Sequence, residues 1–247
     1  MSDLIELSEY TELSKDTKFS ENIELLKDED ITVLDEKHKF IQKQKGFRFS
    51  TDAVLLCDFF LLKKNGKILD IGTGNGIIPV LLLIQNKIGQ ITGIDILKEN
   101  TILAQKNINI NNFNNKAAII NMDIKDYSQG NTFDYIISNP PYMPLNGKKI
   151  NINMNKSVGR HEINLDLENF VFHSKRLLRP IGSLTFIHRS HRLQEIITIL
   201  SKYNFGISRI KFVHYREENS SNLVLIEALK GKKHSLIIEN PLFLKNN

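Results

Sequence analysis

"KILDIGTGNGIIPVLLLIQ", residues 67–85, decides how the chain folds. Its first five residues read as a buried strand, and its last nine, 77–85, form an apolar run suited to a helix. Pro79 falls in the first turn of that helix, where proline is tolerated. Between them lies Gly72-Thr73-Gly74-Asn75-Gly76. Glycine there permits a sharp turn and a close approach of backbone to a ligand. Strand, glycine loop and helix in that order form the opening unit of a parallel sheet flanked by helices.

The alternation continues outward. "QITGIDI" (90–96) reads as a strand and 98–112 as a polar-faced helix ending in an Asn-rich loop. "AAIINMD" (117–123) and "FDYIISN" (133–139) are strands. A helix over 166–178, the strand "GSLTFIH" (182–188) and a helix over 190–203 follow. "ISRIKFVHY" (207–215) and "NLVLIEALKG" (222–231) then come with no helix between them, so one of the pair runs antiparallel. Upstream, "FSTDAVLLCDFFLL" (49–62) is a helix that Ser50, Thr51 or Asp52 can cap. "ITVLDEKHKFIQKQ" (31–44) is a hairpin turning near Asp35-Glu36-Lys37. The expected fold is α/β and Rossmann-like: a mostly parallel seven-stranded sheet with one antiparallel strand, preceded by a short β-hairpin. Residues 1–28 are expected to be an acidic extension, and 29–247 one domain with its core at 67–230.

Composition narrows the classes. The chain has 247 residues, 41% of them apolar and 25% charged, enough for a sizeable core. It contains no run of eighteen apolar residues, so no membrane span is expected. The acidic start lacks the apolar segment of a signal peptide. Cys57 is alone, which excludes an internal disulfide and a cysteine-rich zinc site, so no metal is expected. These features fit a cytoplasmic protein. Residues 1–36 carry twelve acids against three lysines, whereas 37–247 carry sixteen acids against thirty Lys and Arg. A basic body of this kind suits a polyanionic partner such as nucleic acid.

Sheets of this type bind ligands beyond the carboxyl ends of their strands, where strand order reverses. The residues just after the strands are therefore the informative ones. The loop after the first core strand has Gly72, Gly74 and Gly76, but Ile77 stands where a dinucleotide fingerprint needs its last glycine. Asp70 would sit badly against a pyrophosphate and suits a cationic amine or sulfonium. Asp95 ends the second strand, where a carboxylate can accept both hydroxyls of a ribose. Asp123 ends the third and can receive an adenine amino group, with Ile96 and Ile124 against the ring faces. This pattern resembles the class I S-adenosylmethionine-dependent methyltransferases over residues 67 to about 230.

Asn139-Pro140-Pro141-Tyr142 follows the fourth strand. The lone pair of an exocyclic amine is delocalised into its ring, so the nitrogen attacks poorly. The Asn139 side-chain oxygen and the Pro140 carbonyl can each accept one of its N–H groups and free that pair. The prolines fix φ and hold the carbonyl, and Tyr142 can stack on a base. The motif resembles the N-P-P-Y of methyltransferases acting on adenine N6, cytosine N4 or a glutamine amide. It specifies a planar amino group without saying which.

"KGFRFSTDAVLL" (45–56), "VGRHEINLDLENF" (158–170), "IHRSHRL" (187–193) and "NPLFL" (240–244) narrow the acceptor. With N-P-P-Y, their order resembles the bacterial tRNA(Val) adenosine-37 N6-methyltransferase family from about residue 31 to the end. That resemblance implies tRNA as partner and S-adenosylmethionine as donor. Charge agrees with it: Lys148, Lys149, Lys156, Arg160, Arg189 and Arg192 are expected on loops near the strand ends, Lys45 and Arg48 approach from the N-terminal side, and these with His161 around the stacking Tyr142 suit a single-stranded RNA loop. His188 and His191 lack metal-ligand company. The rival is a glutamine methyltransferase of a release factor, which shares the glycine loop and N-P-P-Y but carries a helical N-terminal domain.

Overall fold

The computed structural model describes residues 25–44, 51–140, 166–231 and 235–244. Two strands, β1 (Glu29–Val33) and β2 (Lys39–Lys43), form an antiparallel hairpin. Its turn is set by Asp35, whose Oδ1 accepts from the backbone N–H groups of Lys37 and His38, both at 2.8 Å. Next come α1 (Thr51–Phe59), β3 (Ile68–Ile71), α2 (Ile77–Ile84), β4 (Ile91–Asp95), α3 (Lys98–Ile110), β5 (Ala117–Asn121) and β6 (Phe133–Ser138). The chain continues through α4 (Leu167–Leu177), β7 (Leu178–Arg189), α5 (Leu193–Lys202), β8 (Phe205–His214) and β9 (Leu223–Lys230).

These strands form one sheet in the order β8-β9-β7-β6-β3-β4-β5. All run parallel except β9, which pairs antiparallel with β7 on one side and β8 on the other. The seven-stranded mixed sheet and leading hairpin match the expectation. Two further short strands, β10 (Ile237–Ile238) and β11 (Leu242–Phe243), run parallel to β8 at the edge. Strand pairs of two residues have no period to read, and the sequence gives no sign of them.

A core lies on each face. One packs α1, α2 and Ile108 of α3 with Leu34 and Phe40 of the hairpin against Ile68, Ile137 and Ile187. The other packs α4 and α5 through Phe170, Val171, Ile196 and Leu200 against Leu69, Ile136, Leu184 and Phe186. Seven of the eight residues of α2 are buried, as an apolar-all-round helix requires. Asp166 caps α4 by accepting from the Asn169 N–H at 2.7 Å.

Several boundaries move. β7 starts at Leu178 rather than 182, because "RPI" reads as a turn yet is accommodated by a register shift against β6 and a positive φ of 65° at Ile181. β5 ends at Asn121, so Asp123 does not end the strand. Instead it caps a short 3-10 turn, Ile124–Asp126, by accepting from the Lys125 N–H at 3.0 Å.

Candidate active site

Strand order reverses between β3 and β6: β4 and β5 lie to one side of β3, and β6 and β7 to the other. The glycine loop and Asn139 occupy the carboxyl ends of these two strands. Asp70 pairs in register with Ile137, so Asn139 follows two residues beyond that pair. Asn139 is half-buried and Pro140 is buried.

The glycine loop is built by its backbone. The N–H groups of Gly72 and Thr73 both donate to the Ile94 carbonyl at 2.9 Å, leaning the loop on β4. Gly72 and Gly74 have φ of 71° and 55°, and no atom of the described residues lies within 4 Å of where a Cβ would sit. Their glycines are thus set by conformation, and they leave open space over the loop. Gly76, with φ of 83°, is also set by conformation, and a Cβ there would in addition meet the Ala104 Cβ at 3.0 Å, so the close approach of α3 requires glycine too.

Asp70 is fully buried, and neither of its carboxylate oxygens has a hydrogen-bond partner among the described residues. Burial pushes its carboxyl up to about 7; the Thr73 hydroxyl, nearby but outside hydrogen-bonding geometry, pulls it back, and the charge of Asp95 adds to the rise. The Asn75 amide and Thr73 hydroxyl of the same loop are also buried without partners among the described residues. Such groups are costly unless something pairs with them.

Asp95 is 8% exposed and already engaged. Its Oδ2 accepts from the Gly74 N–H at 2.9 Å, and its Oδ1 from the Leu97 N–H at 2.9 Å and the Asn100 amide at 3.2 Å. Burial raises its pKa and these bonds oppose the rise. A carboxylate offers about four lone-pair sites, so about one remains. Ile96 is exposed, whereas Ile124 is buried in the second core. Asp123 is half-buried.

The family model described as "methyltransferase small domain" matches residues 48–216. A protein of Shewanella halifaxensis named tRNA1(Val) (adenine(37)-N6)-methyltransferase is 31% identical over 76% of this chain and 78% of its own. A protein of the same name from Tolumonas auensis is 27% identical over 83% of this chain and 84% of its own. The chain belongs to the tRNA1(Val) (adenine(37)-N6)-methyltransferase family. Its fold is shared with solved methyltransferases of low identity. A predicted O-methyltransferase from Agrobacterium tumefaciens superposes with a TM-score of 0.61 at 20% identity, covering 78% of this chain and 87% of its own. TYW2 of M. jannaschii, solved in complex with AdoMet, gives 0.58 at 14% identity, covering 84% and 88%.

In this member of the methyltransferase family, most of the expected RNA-facing residues lie outside the described residues: Lys45, Arg48, Tyr142, Lys148, Lys149, Lys156, Arg160 and His161, together with Pro141. Arg189 is described. It is half-buried at the end of β7, and its Nη1 donates to the Tyr215 hydroxyl at 3.5 Å. Arg192 departs from the expectation of a loop cation. It is 8% exposed and forks onto Glu195 at 2.9 and 2.6 Å. His188 is buried and accepts from the Arg189 N–H through Nδ1 at 2.8 Å. Burial, then the Arg192 charge, lowers it to about 4, so it is neutral near pH 7.

Two residues that sequence reasoning missed lie beside the loop. Asn107 of α3 is wholly buried and ties three elements together. Its Oδ1 accepts from the Ile41 N–H at 2.6 Å, and its Nδ2 donates to the carbonyls of Ile41 and Asn75, both at 2.9 Å. Ser138, also wholly buried, donates from Oγ to the Ile71 carbonyl at 2.7 Å. Two asparagines four residues apart in α3, Asn107 and Asn111, were the available sign of the first. The second had none.

A groove of about 560 Å³ opens at the opposite end of the sheet, lined by Lys64, Lys67, Asp134 and Arg179 among others. It contains no residue of the glycine loop and lies at the wrong strand ends for this chemistry. No group of three or more His, Cys, Asp or Glu able to hold a metal occurs among the described residues. No helix among them is long and apolar enough to cross a membrane.

Proposed function

We propose that this protein methylates the N6 amine of an adenine in tRNA, adenosine 37 of tRNA(Val), with S-adenosylmethionine as donor. The observation that carries the reading is the position of Asn139 and Pro140 immediately after β6, across the sheet's reversal point from the glycine loop. The names of the relatives point the same way.

The loop fits such a donor. S-adenosylmethionine supplies a methyl group on a sulfonium, which leaves without prior protonation. The Asp70 carboxylate, without a partner among the described residues, suits a cationic amine, and the space those residues leave above Gly72 and Gly74 admits a chain close to the backbone. Gly76 lets α3 close behind the loop. Asp95 retains room for about one ribose hydroxyl rather than two, since its other sites hold the loop. Asp123 and the Ile96 and Ile124 side chains are assigned to the adenine of the donor.

Asn139 Oδ1 and the Pro140 carbonyl each accept one N–H of the target amine. That draws the nitrogen toward tetrahedral geometry and directs its lone pair at the methyl carbon. Bound there, S-adenosylmethionine would supply the methyl group, its sulfur keeping the C–S electron pair as it leaves, while Asn139 and Pro140 would hold the amine until its extra proton passes to solvent. Catalysis is positioning and electrostatics, with no strong base needed before attack. Tyr142 stacks on the base, and Lys45, Arg48, Lys148, Arg160, His161 and Arg189 are assigned to the RNA. Residues 29–247 act as one catalytic unit in the cytoplasm on this reading, which the single buried cysteine supports.

Incubation with labelled donor and separate pools of tRNA, ribosomal RNA, DNA and release factor tests it. Label should enter tRNA and appear as N6-methyladenosine after digestion; label confined to release factor would reject the reading. Asn139→Ala should lower transfer by about 10²–10³-fold and leave donor affinity nearly intact. Full activity in that variant would remove the clamp.

A further inference from the structure

The two halves of the site sit on strands that part at their ends. The ladder between β3 and β6 closes with the pair Asp70–Ile137. Beyond it, the glycine loop leans on β4, with Gly72 and Thr73 donating to Ile94. β6 follows the other neighbour, with Ser138 opposite Phe186 of β7. Donor loop and amine acceptors are therefore each fixed to a different flanking strand.

The Ser138 hydroxyl spans the gap. It donates at 2.7 Å to the carbonyl of Ile71, the last residue of β3 before Gly72, and Ser138 itself directly precedes Asn139. One buried bond thus joins the residue before the donor loop to the residue before the amine clamp. We propose that Ser138 is a positioning residue for methyl transfer, holding the clamp at reacting distance from the donor loop. This rests on the roles given above to Asn139 and Pro140. Reacting atoms must approach to about 3–3.5 Å, and a slip of about 1 Å can cost about 100-fold in rate. A hydroxyl suits the task because it continues the contact between the strands after their backbones have turned away.

The test uses the full chain, S-adenosylmethionine and an unmodified tRNA(Val) transcript. Single-turnover transfer is followed at saturating donor and RNA, with donor affinity and melting temperature measured on the same samples. Ser138→Ala should slow transfer by about 10–100-fold while donor affinity changes less than about twofold. Its melting temperature should fall by only about 2–4 °C. Ser138→Thr, which keeps the hydroxyl, should recover transfer to within about threefold of the parent. If Ser138→Ala does not fold, Ser138→Cys decides the matter: slow transfer with normal donor affinity supports the role, and parental transfer overturns it. A Ser138→Ala protein with parental transfer, or a loss that Ser138→Thr leaves in place, also overturns it. Asn139→Ala run in parallel separates the two claims. If it is fully active, the clamp reading fails. If it is inactive while Ser138→Ala is parental, only the role of Ser138 fails.

Discussion

At the scale of a single residue, the proposed donor site turns on Asp70. Its carboxyl is raised from 3.8 to about 7, so the ionised form costs the folded protein up to about 4 kcal/mol. The sign is that of any raised group: stability is full below about pH 4 and declines as pH rises toward 7. A cationic ligand reverses this by favouring the carboxylate. Donor affinity should therefore fall about tenfold in all as pH drops from about 8 to 6, with proton release on binding. The neighbouring groups are Asp95, also raised by burial, and Cys57, whose thiol burial pushes well above its usual range and out of this window. Calorimetry in buffers of different ionisation enthalpy checks the release, and Asp70→Asn should flatten it; a parental pH profile in that variant would place the titration elsewhere. Asp70 was legible in the sequence because it adjoins the glycines it serves. Ser138 and Asn107 were not, because their partners are carbonyls and amides far along the chain, and a side chain's pattern says nothing about which backbone group it will meet.

At the scale of elements, the hairpin is held to α3 by side chains acting as a substitute strand. Asn107 binds both backbone groups of Ile41, and four residues on, Asn111 does the same for Lys39 at 3.0 and 2.7 Å. Lys106 adds an ion pair to Glu29 at 2.9 Å, with Glu29 6% exposed. Because Asn107 also holds the Asn75 carbonyl, the hairpin and the glycine loop share one anchor. Asn107→Ala leaves three buried backbone groups short of a partner, worth about 3 kcal/mol or more in total. Amide exchange in β2 should quicken and donor affinity should drop several-fold; unchanged exchange over Lys39–Lys43 would refute the shared anchor. The sequence predicted the hairpin and the helix, since both follow from apolar spacing. It did not predict their attachment: "NININ" reads as a polar helix end leading into a loop, whereas Asn107 is wholly buried.

At the scale of the whole molecule, the alternation of strands and helices was legible because each buried face imposes its own period. The antiparallel member followed from the missing helix before β9. The place of β9 was beyond the pattern: it enters between β7 and β8, which both precede it in the chain. That insertion governs the order in which the protein can be completed during synthesis. Until residues 223–230 emerge, β7 offers an open edge over Ser183–Arg189, and β8 has no strand to join it to the sheet. A chain stopped at residue 221 should therefore stay sensitive to protease across β8 and aggregate on release, while one extended to 244 resists digestion. Equal resistance in the two would mean that the sheet closes without its final central strand. If the expectation holds, a copy cut short before β9 cannot pass for a finished one, because everything through residue 230 must leave the ribosome before the interior of the sheet is sealed.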